Sequence, residues 1–423
     1  MMKKRNLFLL IFILIVALFL RLKLFSYKTH WSDMYFWQDW GKGIVDLGPS
    51  QFYNHFNADY LPFYPIVLGA VYRLYELTKN IFHHQLPIYY FYKLPATITD
   101  ILLAIFLFKL LYKKSLVFAF GGLIFFLFNP AIFANSSMWG QVDVIGTFFV
   151  ILSIYFFIKK QFLWLGASLA FALCTKPLYL LAVPVFTIGL LMVGKIEKKG
   201  IGWFLKNQAV FLLTCLFFIW LISYPFVNFS NNVFFDNLGK PFLFLLKRYQ
   251  IITQRYPYTS VNAFNFWGLA DKAFWLSDSR SFTRFSYYHW GNLINIILVI
   301  TILVRLIFIN KNDWFYRLIL SLVLLFFSSF MFLTRIHERH LYYVLPFIIL
   351  AASKNKRLLL AYIILSITYI FNLNFALEYY YQNMKYIYNW RLINFFSFIN
   401  LIVFCWLVLE YFVFPLKISQ NHE

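Results

Sequence analysis

KKRNLFLLIFILIVALFLRLKLF, residues 3–25, decides the class of the fold. Lys3, Lys4 and Arg5 precede an unbroken apolar run from Leu7 to Leu20. A helical run of about 20 residues crosses roughly 30 Å of hydrocarbon. A signal peptide opens in the same way, but no small-residue cleavage site follows; Arg21, Lys23 and Phe25 do. The run therefore reads as an uncleaved first spanning helix.

Similar runs recur along all 423 residues. The chain is 62% hydrophobic, 23% aromatic and 13% charged, whereas soluble domains carry about a quarter charged residues. The expectation is an all-α integral membrane protein, one polytopic domain over 1–423. About twelve spans are read at 6–25, 91–112, 116–134, 142–158, 162–176, 178–194, 204–223, 290–309, 315–333, 341–353, 357–375 and 391–413. The formal charge of +22 resides mostly in short Lys/Arg clusters between these runs, a topology signal rather than a nucleic-acid footprint. Part of the excess suits contact with anionic membrane lipid. The three cysteines, Cys174, Cys215 and Cys405, all fall inside apolar runs and suggest neither a disulfide framework nor a thiolate metal site.

Twelve spans place Lys3-Lys4-Arg5, Lys113-Lys114, Lys159-Lys160, Lys195/Lys198/Lys199, Lys311 and Lys354/Lys356/Arg357 on one side, the cytoplasm, with both termini. Segment 61–78, LPFYPIVLGAVYRLYELT, resembles a span but carries Arg73 and Glu76. Crossing there would put Lys113-Lys114 outside, so it reads as a helix lying in the outer interface. Two long external loops remain, 27–90 and 224–289. They are too polar to cross lipid and too aromatic to be plain linkers.

The residues able to carry chemistry gather at the expected outer face. WSDMYFWQDWG supplies Asp33 and Asp39 just beyond the first span. A carboxylate there can take a proton from a hydroxyl attacking a lipid-borne electrophile; Ser32 or Asp33 also reads as an ordinary helix N-cap. Asp59, in NADYLPFYP, is a second acid or a turn residue. NSSMWGQVD contributes Trp139, Gln141 and Asp143, the last too costly for lipid and so facing a cavity or capping a helix. Lys93 and Asp100 lie two turns apart on one helix face, as an internal ion pair or a donor contact. Lys176, in CTKP, either snorkels or binds an anion.

RIHERH, residues 335–340, is the most informative polar group. His337-Glu338-Arg339-His340 lacks the spacing that puts two zinc ligands on one helix face. A phosphate site suits it better, since Arg offers a bidentate fork and His a mobile proton; an anchor of cationic side chains at the interface is the plainer reading. In the second loop, Arg248 and Arg255 share a face if helical, and Asn262, Asn265 and Trp267 pair amides with an aromatic face, as sugar sites do.

SDMYFWQDWG, DYLPFYP, KLPATITD, NPAIF with SSMWGQVD, CTKP, SVNAFNFWGL and HERH occur in an order that resembles the GT-C fold of glycosyltransferases. More narrowly, it is similar to bacterial relatives of the GPI-anchor mannosyltransferase II family. The match runs over about 33–340, with His340 standing where the family more often has Tyr. The resemblance implies an inverting, mostly metal-free hexosyltransferase without a cofactor, at a cell membrane, its active site external. The donor would be a polyprenyl-phosphate sugar, mannose by the family's name, and the acceptor a hydroxyl of a glycolipid or cell-envelope glycan. Asp33 matches the family's general base. His337, Arg339, Lys176 and Arg255 are expected at the donor phosphate. Asp39, Asp59, Trp139, Gln141, Asp143, Asn262, Asn265 and Glu338 are expected at the sugar or acceptor. A flippase or transporter of lipid-linked sugars, and a polymerase or ligase using them, are the alternatives. A transporter calls for mid-membrane charges and a pseudo-repeat, whereas these polar clusters gather at one face.

Overall fold

The computed structural model describes residues 3–27, 30–83, 85–229, 234–308, 313–381 and 389–413. Of the expected basic clusters, Lys311 lies outside them, as do residues 28, 29 and 84 of the first long loop and 230–233 of the second. Among the described residues the repetitive structure is helical except for one small hairpin, Ser281–Phe282 paired with Phe285–Ser286, joined by irregular loops.

In chain order the helices are α1 Lys4–Lys23, α2 Trp31–Asp46, α3 Pro49–His55, α4 Phe63–Phe82, α5 Ile88–Tyr112, α6 Leu116–Leu127, α7 Pro130–Phe133, α8 Asp143–Ile158 and α9 Phe162–Leu173. They continue as α10 Ala182–Ile196, α11 Ile201–Ser223, α12 Phe234–Thr253, α13 Phe266–Asp271, α14 Tyr287–Ile307, α15 Trp314–Phe332, α16 Leu345–Ala352, α17 Leu358–Tyr381 and α18 Trp390–Phe412.

Eight helices among the described residues are long and apolar enough to cross a membrane. A bent pair, Leu116–Leu127 with Pro130–Trp139, makes a ninth if it is one span, with a 47° break at its join. Pro130 removes a backbone donor there and stops α6 from continuing. The other three expected spans are helical but short: 16, 12 and 8 residues in α8, α9 and α16. At about 1.5 Å per residue none reaches the thickness of the hydrocarbon core unaided. Both long loops contain helices. The first holds α2, α3 and α4, the second α12 and α13. Segment 61–78 falls mostly within α4, whose Arg73, Glu76 and Lys79 give it a polar side beside exposed Leu74, Leu77 and Ile81.

The chain divides into two compact units. The first comprises Met1–Leu110, Ala119–Leu180 and Leu205–Tyr256; the second comprises Leu111–Phe118, Leu181–Phe204 and Pro257–Glu423.

In the first unit, α1 buries one stripe, Leu10, Ile13, Ala17 and Arg21, at the three- and four-residue spacing of a single helix face. Most of its remaining apolar side chains are exposed, as a lipid-facing helix requires, with Leu14 and Leu20 half-buried. Arg21 is fully buried, its Nε 3.3 Å from Asp100 Oδ2, and Ser136 Oγ donates to the same carboxylate. The suggested Lys93–Asp100 ion pair is therefore not the arrangement found. Lys93 Nζ instead donates to the carbonyls of Phe25 and Tyr27, each at 2.8 Å, because the turn after α1 leaves those acceptors unpaired within the helix. Close helix contacts use small residues, as bilayer packing favours. A Cβ at Gly41 of α2 would sit 2.9 Å from the Leu68 carbonyl of α4. Ser153 of α8 and Ser168 of α9 bond at 2.8 Å.

In the second unit, α15 is the central helix, every residue from Tyr316 to Phe332 buried, with α14, α16 and α18 around it. Two asparagines strap the 262–265 segment down. Asn372 of α17 donates to Asn262 O at 2.6 Å and accepts from Phe264 N at 3.0 Å, while Asn400 of α18 donates to Phe264 O at 2.9 Å.

Candidate active site

Asp33 sits in the first turn of α2, where the helix dipole favours a negative side chain. The N-cap is His30, whose Nδ1 accepts from Asp33 N at 3.2 Å and bonds Ser32 Oγ at 2.8 Å. An accepting Nδ1 leaves the proton on Nε2, so the 3.8 Å separation between His30 Nδ1 and Asp33 Oδ1 is not an ion pair. Both readings of Asp33 meet here. It lies in the capped turn, yet the cap is His30 and the carboxylate projects from it.

Two donors more than a hundred residues along the chain grip one carboxylate oxygen. Trp139 Nε1 and Gln141 Nε2 both donate to Asp33 Oδ2, at 2.9 and 2.8 Å. Local sequence explains how both reach it. Ala134–Trp139 winds as a π-helical turn after α7, a feature common at functional sites. Gly140 then takes φ +88°, and Gln141 N bonds back to Asn135 O at 2.9 Å. Only glycine adopts that backbone without strain, and a Cβ there would press on Trp37 at 3.2 Å. Trp139 also stacks on His30, with centroids 6.0 Å apart and planes 17° apart. Trp139 and Gln141 are buried, so they hold the carboxylate rather than present a surface, while the Asp33 side chain stays 28% exposed.

A second polar pair lies in the same unit. Asp143, at the start of α8, is fully buried and accepts from Lys176 Nζ at 2.6 Å. Lys176 thus binds an anion, one supplied by the chain. Tyr179 donates to the Asp143 carbonyl at 2.8 Å and bonds Thr147 at 3.1 Å. Lys176 also lies 5.8 Å from the Tyr60 ring centroid, and Tyr60 packs on Tyr64 at 4.7 Å. Tyr64 in turn meets Trp37 edge-on at 6.2 Å, one helical turn beyond Asp33. Burial holds the Tyr64 hydroxyl well above the usual phenol range, and the charges of Asp33 and Asp143 add to the effect. It is therefore a neutral donor next to two carboxylates.

The other expected acids of the first unit lie apart from Asp33. Asp39 is exposed, six residues on and about 120° round α2 from Asp33. Asp59 accepts from Tyr256 at 3.2 Å and lies 3.8 Å from Arg255 Nε. Arg255 also donates to Asn57 O, and Arg248 to Ala58 O. The expected phosphate ligand Arg255 is thus partly neutralised by Asp59. α12 ends at Thr253, so the shared-face argument for Arg248 and Arg255 does not apply, although both reach the same segment.

The HERH segment belongs to the second unit. Asp278 accepts from Thr334 Oγ at 2.9 Å and from Arg335 Nε and Nη2 at 2.7 and 3.3 Å. This clamp holds Arg335 in its left-handed conformation, φ +66°. Val261 N donates to Ile336 O at 2.9 Å, and 3₁₀ winding over Glu338–Val344 follows. Arg339 Nη1 lies 3.2 Å from Glu338 Oε1 and 3.3 Å from His337 Nδ1. Glu338 is fully buried, and Arg339 keeps 11% side-chain exposure. His337, Glu338 and Arg339 therefore form one cluster, with Glu338 serving Arg339 rather than facing a sugar. Asn265 caps α13 through Trp267 N at 3.2 Å, and Asn262, at φ +61°, accepts from Trp275 Nε1 at 2.9 Å. Both asparagines are fully buried. Trp267 is buried too, its indole N–H given to Phe332 O at 2.9 Å.

Sequence reading missed His30, Tyr60, Tyr64, Tyr179 and Asp278. His30 carried a signal, a side-chain acceptor directly ahead of an aromatic helix. Asp278 carried none, since its partner Arg335 is 57 residues away. No protein-family model matches the chain, and no curated protein matches its sequence.

Proposed function

We propose that the protein is a membrane glycosyltransferase that moves a hexose, mannose-like, from a polyprenyl-phosphate donor to an acceptor hydroxyl of a glycolipid or envelope glycan at the external face. The observation that carries this reading is the state of Asp33: anchored by two N–H donors through one oxygen, yet still accessible. A general base needs this combination of fixed geometry and contact with its substrate.

In the proposed step, Asp33 takes the proton of the acceptor O–H as that oxygen attacks the anomeric carbon. The sugar–phosphate bond breaks on the opposite face, and polyprenyl phosphate leaves with the electron pair. One displacement inverts the anomeric centre. Trp139 and Gln141 act as positioning residues that fix the approach of the carboxylate. Lys176, with its three N–H donors, supplies cationic stabilisation beside Asp143. The resemblance also implies phosphate ligation by Arg339 and His337, whose cluster with Glu338 lies within the second unit. Residues Asp39, Asp59, Arg255, Asn262 and Asn265 are not assigned a chemical step.

The test is incubation of purified protein with a polyprenyl-phosphate hexose, with and without a glycolipid acceptor. Release of polyprenyl phosphate only with acceptor supports transfer. Movement of the donor across the bilayer without release would instead favour a flippase, and a requirement for a lipid-diphosphate oligosaccharide a polymerase.

A further inference from the structure

α12, Phe234–Thr253, is amphipathic in an unusual sense, with one face held by its own unit and an exposed face that is also apolar. Pro241, Leu245 and Arg248 are buried, four and three residues apart. On the other side Leu243 and Leu246 are 66% and 61% exposed, and Leu238, in the first turns on the flank of the buried stripe, is 47% exposed. The apolar exposure stops after these turns, and Lys247, Gln250 and Thr253 follow, all exposed. The helix holds Asp236, Lys240, Lys247 and Arg248 in 20 residues, too many charges for a span.

Its position along the chain says what covers that face. α11 and the turn after it form a span, Ile201–Phe226, and expose Leu213, Leu216, Phe217 and Leu221. Trp220, in the last turn of α11, donates its indole N–H to Leu238 O at 3.1 Å. The start of α12 is therefore tied to the end of a spanning helix, the level at which hydrocarbon gives way to headgroups. Lys240 reaches back to Asn228 O at 3.5 Å, and Lys247 stands beside Leu243 and Leu246.

We infer that α12 docks on the bilayer surface, its first turns sunk to the acyl boundary through Leu238, Leu243 and Leu246, its last turn rising into water. A helix with leucines on one flank and lysines at its edge fits an anionic lipid surface. The inward face carries a consequence. Arg248 donates to Ala58 O, Arg255 just past the helix to Asn57 O, and Tyr249 to Leu173 O at 2.8 Å. These bonds hold the two segments that lead into Tyr60 and Lys176. Seating α12 on lipid thus braces both residues, whatever reaction the protein performs.

Nitroxide labels at Leu243→Cys, Leu246→Cys, Gln250→Cys and Thr253→Cys in the Cys405→Ser background, reconstituted in anionic-lipid nanodiscs, test this. Labels at 243 and 246 should collide more with dissolved oxygen than with a water-soluble nickel chelate, with the order reversed at 250 and 253. Nickel accessibility at 243 equal to that at 250 overturns the inference. So does shielding from both reagents with dipolar broadening between labels, which would mean a second copy covers the face. Leu243→Glu with Leu246→Glu, in protein that still elutes as a folded species, should lose the preference for anionic over zwitterionic nanodiscs at the 250 label. Retained preference would also count against lipid seating.

Discussion

Replacing Trp139 with Phe removes one N–H donor from Asp33 and keeps most of the ring that stacks on His30. A hydrogen bond to a charged group contributes about 1.5–3 kcal/mol. Asp33 is 28% exposed, so the lower end applies, about 1.5 kcal/mol, or roughly tenfold in rate if it orients the base only during transfer. Gln141→Leu removes the second donor and should cost a similar factor. Both bonds fall on Oδ2, so each single variant still has one anchor. The double variant should then lose more than the product of the singles, beyond about a hundredfold, because couplings within one network are not additive. The assay is steady-state polyprenyl-phosphate release with donor and acceptor each varied at saturation of the other. The loss should appear in kcat, with the donor KM unchanged within about twofold. Thermal unfolding in detergent controls for the smaller Phe in a buried site. If either single variant turns over at the parental rate, or the loss falls wholly in donor KM, these two donors do not position Asp33.

Lys176→Met leaves Asp143 buried without its ammonium partner, which should lower stability by about 3–5 kcal/mol. The detergent unfolding midpoint reads it, and Lys176→Met with Asp143→Asn should recover most of the loss. An unchanged midpoint in the single variant would show that the pair contributes nothing to folding. Arg339→Ala should raise the donor KM with little effect on kcat, measured with a polyprenyl-phosphate hexose series. Unaltered donor affinity would remove Arg339 from phosphate recognition. Asp278→Leu should lower stability by about 2 kcal/mol or more, since Arg335 loses its charge-assisted bonds, and Asp278→Asn should recover part of it; equal stability of all three would deny the clamp.

The membrane class was legible because lipid demands long apolar helices, and the run after Lys3-Lys4-Arg5 satisfies that demand by itself. The number of spans was not. Apolar runs do not report where a helix stops, and breaks at Asn129-Pro130, at Thr175-Lys176-Pro177 and in the 3₁₀ winding before Leu345 shorten the elements between them. α12 escaped notice because its apolar and charged residues average to an ordinary loop composition. Only their angular separation marks it as a helix with two apolar sides.

At the candidate site the residue types were readable and their pairings were not. Asp33, Trp139, Gln141, Asp143 and Lys176 each stood out as a polar side chain in an apolar setting. Yet Asp33 and its two donors are 106 and 108 residues apart, and the bond exists only because a π-helical turn and Gly140 aim both donors one way. Lys93 and Asp100 illustrate the opposite error. Two turns of helix put them on one face, but tertiary packing gave Asp100 to Arg21 and Lys93 to two carbonyls. Spacing within a helix says which residues can be neighbours, and the buried partner from elsewhere decides which ion pair forms.

Whether an anchored, accessible carboxylate drives hexose transfer is read most directly from Asp33→Asn. The amide keeps the side chain's shape but cannot take up the acceptor's proton. In nanodiscs with radiolabelled polyprenyl-phosphate hexose and acceptor, the variant should bind donor as the parent does and release no polyprenyl phosphate above background. Release at the parental rate by Asp33→Asn would contradict the assignment of Asp33 as the base.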